Sequence, residues 1–141
     1  MAAGDITFFN NAKKAILDGD IDVTTDIKVA LVTGYTPDID AHEYWDDVSA
    51  NEASGTGYTT GGAALGSSAV TVVGASDLAK WDAADVTWSG LDVGTPSHAI
   101  IYYNSGSAET STLIAYVELG TASNGGDYTI AWNANGIATL A

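Results

Sequence analysis

The sequence has no cysteine and no arginine, and its only basic residues are four lysines. Without cysteine, the chain forms no disulfide, no thiolate nucleophile and no iron–sulfur cluster. Without arginine, it lacks the guanidinium group that holds a phosphate or carboxylate through two parallel hydrogen bonds. These absences exclude cysteine chemistry and remove the usual clamp for an anionic substrate.

Acidic residues dominate the charge, because 18 Asp and Glu against four lysines give a net charge of −14. A protein that binds nucleic acid or an anionic membrane needs lysine or arginine to replace the counterions of phosphate groups. We therefore expect neither nucleic acid nor a membrane as a partner. No apolar run approaches the roughly 18 residues of a transmembrane helix, and the first residues lack the apolar segment of a secretory signal.

The length of 141 residues suits one compact β domain, residues 1–141, and is too short for two ordinary domains. Apolar residues make up 46% of the chain and charged residues 16%, which is typical of a folded protein. The acidity then has two open interpretations. It increases solubility, as in a salt-adapted organism, or it contributes to binding a partner.

Residues 7–18 have the apolar spacing of one short amphipathic helix. Starting from Phe8, apolar residues recur at i, i+4, i+7 and i+8. We expect Asp5 or Thr7 to cap its start and Gly19 to end it. A helix of three turns is not stable alone, so its apolar face is expected to pack against a sheet.

The rest of the chain is rich in β-branched and aromatic runs that are separated by turn residues. Their spacing of about a dozen residues, without crossover helices, predicts a single antiparallel β-sandwich or barrel-like domain. Residues 133–136 contain Asn and Gly and predict a hairpin between the last two strands. The predicted strands are residues 27–32, 69–73, 86–89, 99–103, 113–119, 128–132 and 137–140.

Residues 34–65 form a long irregular segment that is acidic in its first half and rich in glycine in its second. Long loops in small domains tend to be functional, and we expect short turns here with a strand near residues 58–65. The adjacent Tyr44 and Trp45 lie in the acidic half, where a solvent-facing aromatic pair would anchor a contact. The candidate interface residues are Tyr44, Trp45, Tyr58 and Phe8.

Two acidic groups are candidate metal sites. Residues 18–22 alternate acids like the start of a calcium loop, but Val23 and Val29 stand where that loop requires glycine and glutamate. The acids of residues 38–47 surround His42 without a known ligand spacing. An irregular cation site stays open at both places, and the prediction is that no metal is bound.

No pattern for catalysis or for a cofactor is convincing. Residues 55–61 contain three glycines, but the third stands one position late for a dinucleotide fingerprint and no helix follows. Ser97 and His98 are neighbours on a predicted strand, so their side chains are expected on opposite faces. Two of the many carboxylates could still converge for sugar hydrolysis. The sequence predicts a non-enzymatic protein without a cofactor.

Several blocks stand in a fixed order along nearly the whole chain. They include residues 27–32 (IKVALV), 52–59 (EASGTGYT), 82–88 (DAADVTW) and 132–137 (WNANGI). In this order they resemble the small virion-associated structural proteins of tailed bacteriophages, and the GTGY and WNANGI blocks are the most specific. The resemblance implies a structural component of the virion, with a capsid decoration (cement) protein as the best fit, and it supplies no catalytic residue.

The implied location is the outer capsid surface, with the major capsid protein as partner. Copies on a capsid commonly cluster about a symmetry axis, so we expect a homo-oligomer, for example a trimer. A phage tail or fibre component is the first alternative. A carbohydrate-binding β-sandwich module is the second, and it would use exposed aromatic side chains such as Trp88 or Trp132.

Overall fold

The computed structural model describes residues 3–141, and in this part the chain forms ten strands and one α-helix. Strand and bridge residues together account for 34% of the chain, and helical residues, with three 3-10 turns included, for 13%. All paired strands are antiparallel. The mainly β class with one short N-terminal helix is therefore confirmed. In chain order the elements are β1 (Thr7–Phe8), α1 (Asn10–Asp18), β2 (Ile27–Val32), β3 (Ala63–Ala64), β4 (Ala69–Val73), β5 (Leu78–Asp82), β6 (Val86–Trp88), β7 (His98–Tyr103), β8 (Leu113–Glu118), β9 (Tyr128–Ile130) and β10 (Ala138–Leu140).

The largest sheet has the strand order β1-β8-β7-β2-β3. Strands β2 and β7 form its centre, where Ile27 pairs with Tyr103 and Val32 with His98. Both strands carry apolar residues at successive positions and are almost entirely buried, because each of their faces is covered by other parts of the chain.

A second sheet of three strands, β10-β5-β4, is called the arm below. The third sheet pairs β6 with β9. One hydrophobic core contains residues of all three sheets and of the first strand–helix junction, and its members include Phe9, Leu31, Trp81, Ile100 and Ile130.

The helix begins at Asn10, so the predicted start at Thr7 and the predicted side-chain cap are wrong. Thr7 and Phe8 instead pair with β8, and the capping position is taken by Phe9, whose side chain forms no capping bond. The end is as predicted, because Gly19 closes the helix with a φ of 79°. Pairing with an exposed edge of β8 outweighed the local helical spacing of residues 7–9.

The predicted hairpin around residues 133–136 is also wrong, although the turn exists. The Gly136 N–H donates to the Asn133 carbonyl over 2.8 Å. The flanking strands nevertheless join different sheets, since β9 pairs with β6 and β10 pairs with β5. The chain leaves the turn along β5, where the Ile137 N–H donates to the Trp81 carbonyl.

Strand β5 lies in a region for which no strand was predicted. Its residues alternate between apolar Ala79 and Trp81 and polar Lys80 and Asp82. This period of two was present in the sequence, but Ala, Lys and Asp are poor strand formers and concealed it. The other predicted strands are found with ends shifted by at most two residues.

The long segment of residues 34–65 consists mainly of turns, as expected. It contains two 3-10 turns, Trp45–Asp47 and Ser49–Asn51, and ends in β3, which pairs with the edge of β2. The expected strand near residues 58–65 is thus confirmed as the short β3.

Candidate interaction surface

The exposed large apolar side chains of residues 3–141 lie on the arm and on α1. Leu17 is 84% exposed and Ile16 37%, both on α1. On the arm, Val72 is 84% exposed, Leu140 74% and Val70 50%. A group of exposed apolar residues on the surface of a folded domain marks a site of contact with another molecule.

The register of the arm explains why one of its faces is apolar. Residues directly opposite each other in an antiparallel pair project on the same side. Val70 stands opposite Trp81 and Val72 opposite Ala79, while β10 adds Ala138 and Leu140 opposite these same two β5 residues. Every residue of this face is therefore apolar.

The other face of the arm is mixed: it carries the polar residues of the three strands together with Ala69, Val73 and Leu78. Thr71 and Thr139 flank Lys80 on the two neighbouring strands. The Lys80 ammonium lies 3.6 Å from the carboxylate of Asp82. Both charged residues of the arm thus lie away from the apolar face, and they balance each other.

A groove of about 400 Å³ runs between the apolar face of the arm and the helix. Phe8, Ile16 and Leu17 line one side of it, and Val70 and Leu140 line the arm side. Apart from Lys13 and Thr139, the residues that line the groove are apolar. Such a groove fits an apolar side chain or an amphipathic segment of a partner.

Trp81 attaches the arm to the rest of the chain beside this groove. It is only 5% exposed, and its indole N–H donates to the Ser68 hydroxyl over 2.8 Å. The Ser68 hydroxyl in turn donates to the Val23 carbonyl over 2.7 Å. This chain of hydrogen bonds fixes the arm relative to the segment that follows the helix.

None of the five exposed residues of this surface is among the interface residues predicted from the sequence. The helical spacing predicts Ile16 on a buried face and leaves Leu17 outside it, and the strand pattern predicts Val70 and Val72 only as strand residues. The feature that could have indicated this surface is the strand pattern of residues 69–73, which lies in a stretch of sequence without charged residues. It could not identify a surface until the pairing with β5 was known.

Trp45 is not the exposed anchor that its acidic neighbours suggested, and this expectation is wrong. Its side chain is 8% exposed and stacks on Tyr102 with ring centroids 4.6 Å apart. Tyr44 forms an isolated bridge to Thr112, and the Trp45 N–H donates to the Ser111 carbonyl. These backbone contacts turn the indole towards the core.

The other three candidate interface residues are half-buried. Phe8 lines the groove and so lies at the candidate surface, whereas Tyr44 and Tyr58 lie elsewhere. The Tyr58 hydroxyl donates to the Glu52 carboxylate over 2.9 Å and accepts the Leu31 N–H over 3.2 Å. Burial raises the pKa of the Tyr58 phenol above its ordinary value, so it stays a donor.

In the GTGY block, the backbone of residues 55–57 lies directly against the backbone of residues 90–92. Thr56 bridges to Asp92, and a Cβ on Gly55 would lie 2.2 Å from the Asp92 carbonyl oxygen. A Cβ on Gly57 would lie 2.5 Å from the Gly90 carbonyl oxygen. Glycine is required at both positions because no side chain fits there, which explains the block without a bound phosphate.

The acidic groups make hydrogen bonds to nearby backbone. Asp47 accepts the N–H groups of Glu43 and Tyr44, and Asp38 accepts those of Asp40 and Ala41. These bonds hold the pKa of both carboxyls below the ordinary value. Within residues 3–141, no group of three or more His, Asp or Glu side chains is arranged to hold a metal ion.

Ser97 and His98 do touch, contrary to the expectation from strand alternation. The serine hydroxyl lies 3.1 Å from His98 Nδ1, because Ser97 precedes the first residue of β7 and does not follow its alternation. The same hydroxyl accepts the Tyr35 N–H over 3.2 Å. His98 is 9% exposed, and the rings of Tyr35 and Tyr116 lie 5.5 Å from it. The pair lies where the first residue of β7 meets the last residue of β2.

All four tryptophans are buried, with exposed fractions of 5% or 8%. Trp88 stacks near Tyr58, and the Trp132 indole N–H donates to the Ala84 carbonyl. None of the four presents an open indole face of the kind on which a sugar ring stacks.

In the part of the chain that the structure describes, no helix is long and apolar enough to cross a membrane.

Together these features define a mainly β protein with antiparallel sheets, which has an apolar groove between its helix and its three-stranded sheet. No protein-family model, curated protein or solved structure matches the chain.

Proposed function

We propose that the chain is a non-enzymatic structural protein of a tailed-phage virion, and specifically a capsid decoration protein that binds the outer head surface and stabilises the shell. The order of the sequence blocks supports the phage assignment. The observation that carries the attachment role is the apolar groove between α1 and the arm.

The groove supplies a free-energy source for attachment. Fully burying an exposed Leu or Val contributes about 1.5–3 kcal/mol. Leu17 and Leu140 line the groove and are 84% and 74% exposed, so most of that contribution is still to be gained. A protein that binds only the assembled shell stabilises it by mass action, without any chemical step.

The charge distribution suits the outside of a capsid. Apart from Asp82, the acidic residues lie outside the three strands of the arm. Asp18 is the last residue of the helix that borders the groove, and Asp20 and Asp22 follow it. Carboxylates around an apolar contact attract a partner with basic residues at its rim and repel wrong partners. The proposed partner surface is therefore an apolar projection of the major capsid protein with lysine or arginine beside it.

The test uses purified phage heads that lack this protein and measures binding by co-sedimentation. Leu17→Gln keeps a good helix former and removes apolar surface, so we expect affinity to fall roughly 10- to 100-fold. Ala50→Gln changes an exposed residue outside the groove and is the matched control. Equal binding of the wild type and Leu17→Gln would contradict attachment through the groove.

The same assay with purified tails separates the head from the tail alternative. Binding to heads alone supports a decoration protein, and binding to tails alone supports a tail or fibre component. A carbohydrate-binding module would use exposed tryptophan or tyrosine rings. All four tryptophans are buried, and a glycan array without binding would then remove this alternative.

A further inference from the structure

The outer edge of β4 is an unpaired strand edge on the arm. Within residues 3–141, β4 pairs only with β5, and its first four residues, Ala69 to Val72, are exposed. We propose that this edge pairs with β4 of a second copy of the chain, antiparallel and about a two-fold axis at Thr71. The proposal concerns two copies of this chain only and does not depend on the proposed function.

Strand β4 lacks the features that normally protect an edge. Natural edge strands carry a lysine, a proline or a bulge, or they are covered by another element. The sequence of β4 is AVTVV, without charge or proline, and its five residues pair with β5 in an unbroken register. Its free N–H and C=O groups are therefore available to another strand.

The strand is complementary to itself. In antiparallel pairing about Thr71, that residue stands opposite Thr71 of the second copy, and Val70 stands opposite the second Val72. Pairs of β-branched side chains are favourable across strands. A two-fold axis normal to the sheet keeps the apolar faces of both arms on one side, so six strands would form one sheet with a continuous apolar face.

The charge distribution selects a second copy as the occupant. Two chains of net charge −14 repel each other wherever their acidic surfaces meet. Residues 53–76 are the longest stretch of the sequence without a charged side chain, and β4 lies inside it. A basic partner would gain more at the acidic segments, whereas another copy can approach closely at this uncharged edge.

The first test uses the absence of cysteine from the native chain. Opposed residues in an antiparallel pair have Cα atoms about 4.5–5.5 Å apart, which a disulfide spans. Thr71→Cys should therefore oxidise rapidly to a covalent dimer. Ala69→Cys lies on the same strand and face, but its copies would be separated by roughly 14 Å along the strands, so it should stay monomeric under the same oxidation.

Far-UV circular dichroism verifies that both cysteine variants are folded. Crosslinking of Thr71→Cys alone supports the pairing. Equal crosslinking of both variants indicates random collision and overturns the proposal, and so does the absence of crosslinking in both.

The second test measures mass by sedimentation velocity. The wild type should reach twice 14.4 kDa as concentration rises. Val72→Lys places a charge at the pairing edge and should remain monomeric. Leu17→Lys changes a residue of equal exposure, 84%, on the helix, and should still dimerise. A wild type that stays monomeric or forms trimers overturns the proposal, as does equal loss of dimer in both variants.

Discussion

The indole of Trp45 lies nearly parallel to the ring of Tyr102, at an interplanar angle of 10° and a centroid distance of 4.6 Å. The hydroxyl of the same tyrosine donates to the Gly61 carbonyl over 2.6 Å. Tyr102 on β7 therefore holds both halves of the long irregular segment, the acidic half through its ring and the glycine-rich half through its hydroxyl. Burial raises the pKa of Tyr102 to about 12, which keeps that donor proton in place at physiological pH.

Truncation of this stack is expected to destabilise the fold. Trp45→Ala removes a side chain that is 8% exposed, and comparable core truncations cost about 3–5 kcal/mol. Urea unfolding followed by circular dichroism measures the loss, and Trp45→Phe should retain part of the stability. A Trp45→Ala protein of wild-type stability that no longer bound a partner would restore the interface interpretation.

Two glycines close in sequence should respond oppositely to alanine. At Gly62, φ is +82° and a Cβ would lie 2.1 Å from the Val29 carbonyl oxygen, so Gly62→Ala should strain β2 and lower stability by about 1–3 kcal/mol or more. A Cβ on Gly66 meets no atom within 4 Å. Gly66→Ala should therefore be neutral or stabilising by up to about 1 kcal/mol. Thermal unfolding of both variants measures these effects. A Gly62→Ala protein more stable than Gly66→Ala would contradict this account.

Removal of the Tyr58 hydroxyl should leave one backbone N–H group of the largest sheet without a hydrogen-bond acceptor. The Tyr58 hydroxyl accepts the Leu31 N–H beyond the end of the short β3, so Tyr58→Phe leaves this buried group without its acceptor. This loss should lower the free energy of unfolding by about 1–3 kcal/mol. Hydrogen exchange measured by NMR should accelerate at the Leu31 amide more than at the Val29 amide, which serves as the internal reference. Equal changes at both amides would indicate only a global loss of stability.

The imidazole of His98 should titrate below its ordinary pKa of 6.5, because burial disfavours the charged form. The unfolded chain then binds this proton more readily than the folded chain does. The contribution of His98 to the free energy of unfolding therefore decreases as the pH falls from above 6.5 towards the folded-state pKa.

Glu118, opposite His98 on β8, acts in the other direction, because its charge raises the His98 pKa. Glu118→Gln should lower that pKa further. An NMR titration of the imidazole protons measures both effects, and a higher His98 pKa in the variant would contradict them.

Much of the strand pattern followed from local chemistry. The bounds of β2 and β4 were predicted to the residue, because β-branched residues between turn residues act over short distances. Sheet partners were not predictable in this way. The hairpin at residues 133–136 failed because the turn is local, whereas the pairing of β10 with β5 depends on Trp81, far away in the chain.

The candidate surface was harder to predict than the fold. Phe8 was selected as a candidate interface residue, and it lines the groove. Trp45 was misplaced because its neighbours in sequence are acidic while its neighbour in space is Tyr102. An exposed face on the arm exists only through the register of three strands, and that information is absent from any single stretch of sequence.

The arm gives the molecule the character of a charged amphiphile. Its three strands contain one lysine and one aspartate, so the net charge of −14 belongs to the remainder of the chain. Ionic amphiphiles assemble more readily in salt, because counterions screen the repulsion between their head groups over about 10 Å at 0.1 M. Under the proposed pairing of two arms, a higher ionic strength should therefore lower the protein concentration at which the dimer forms.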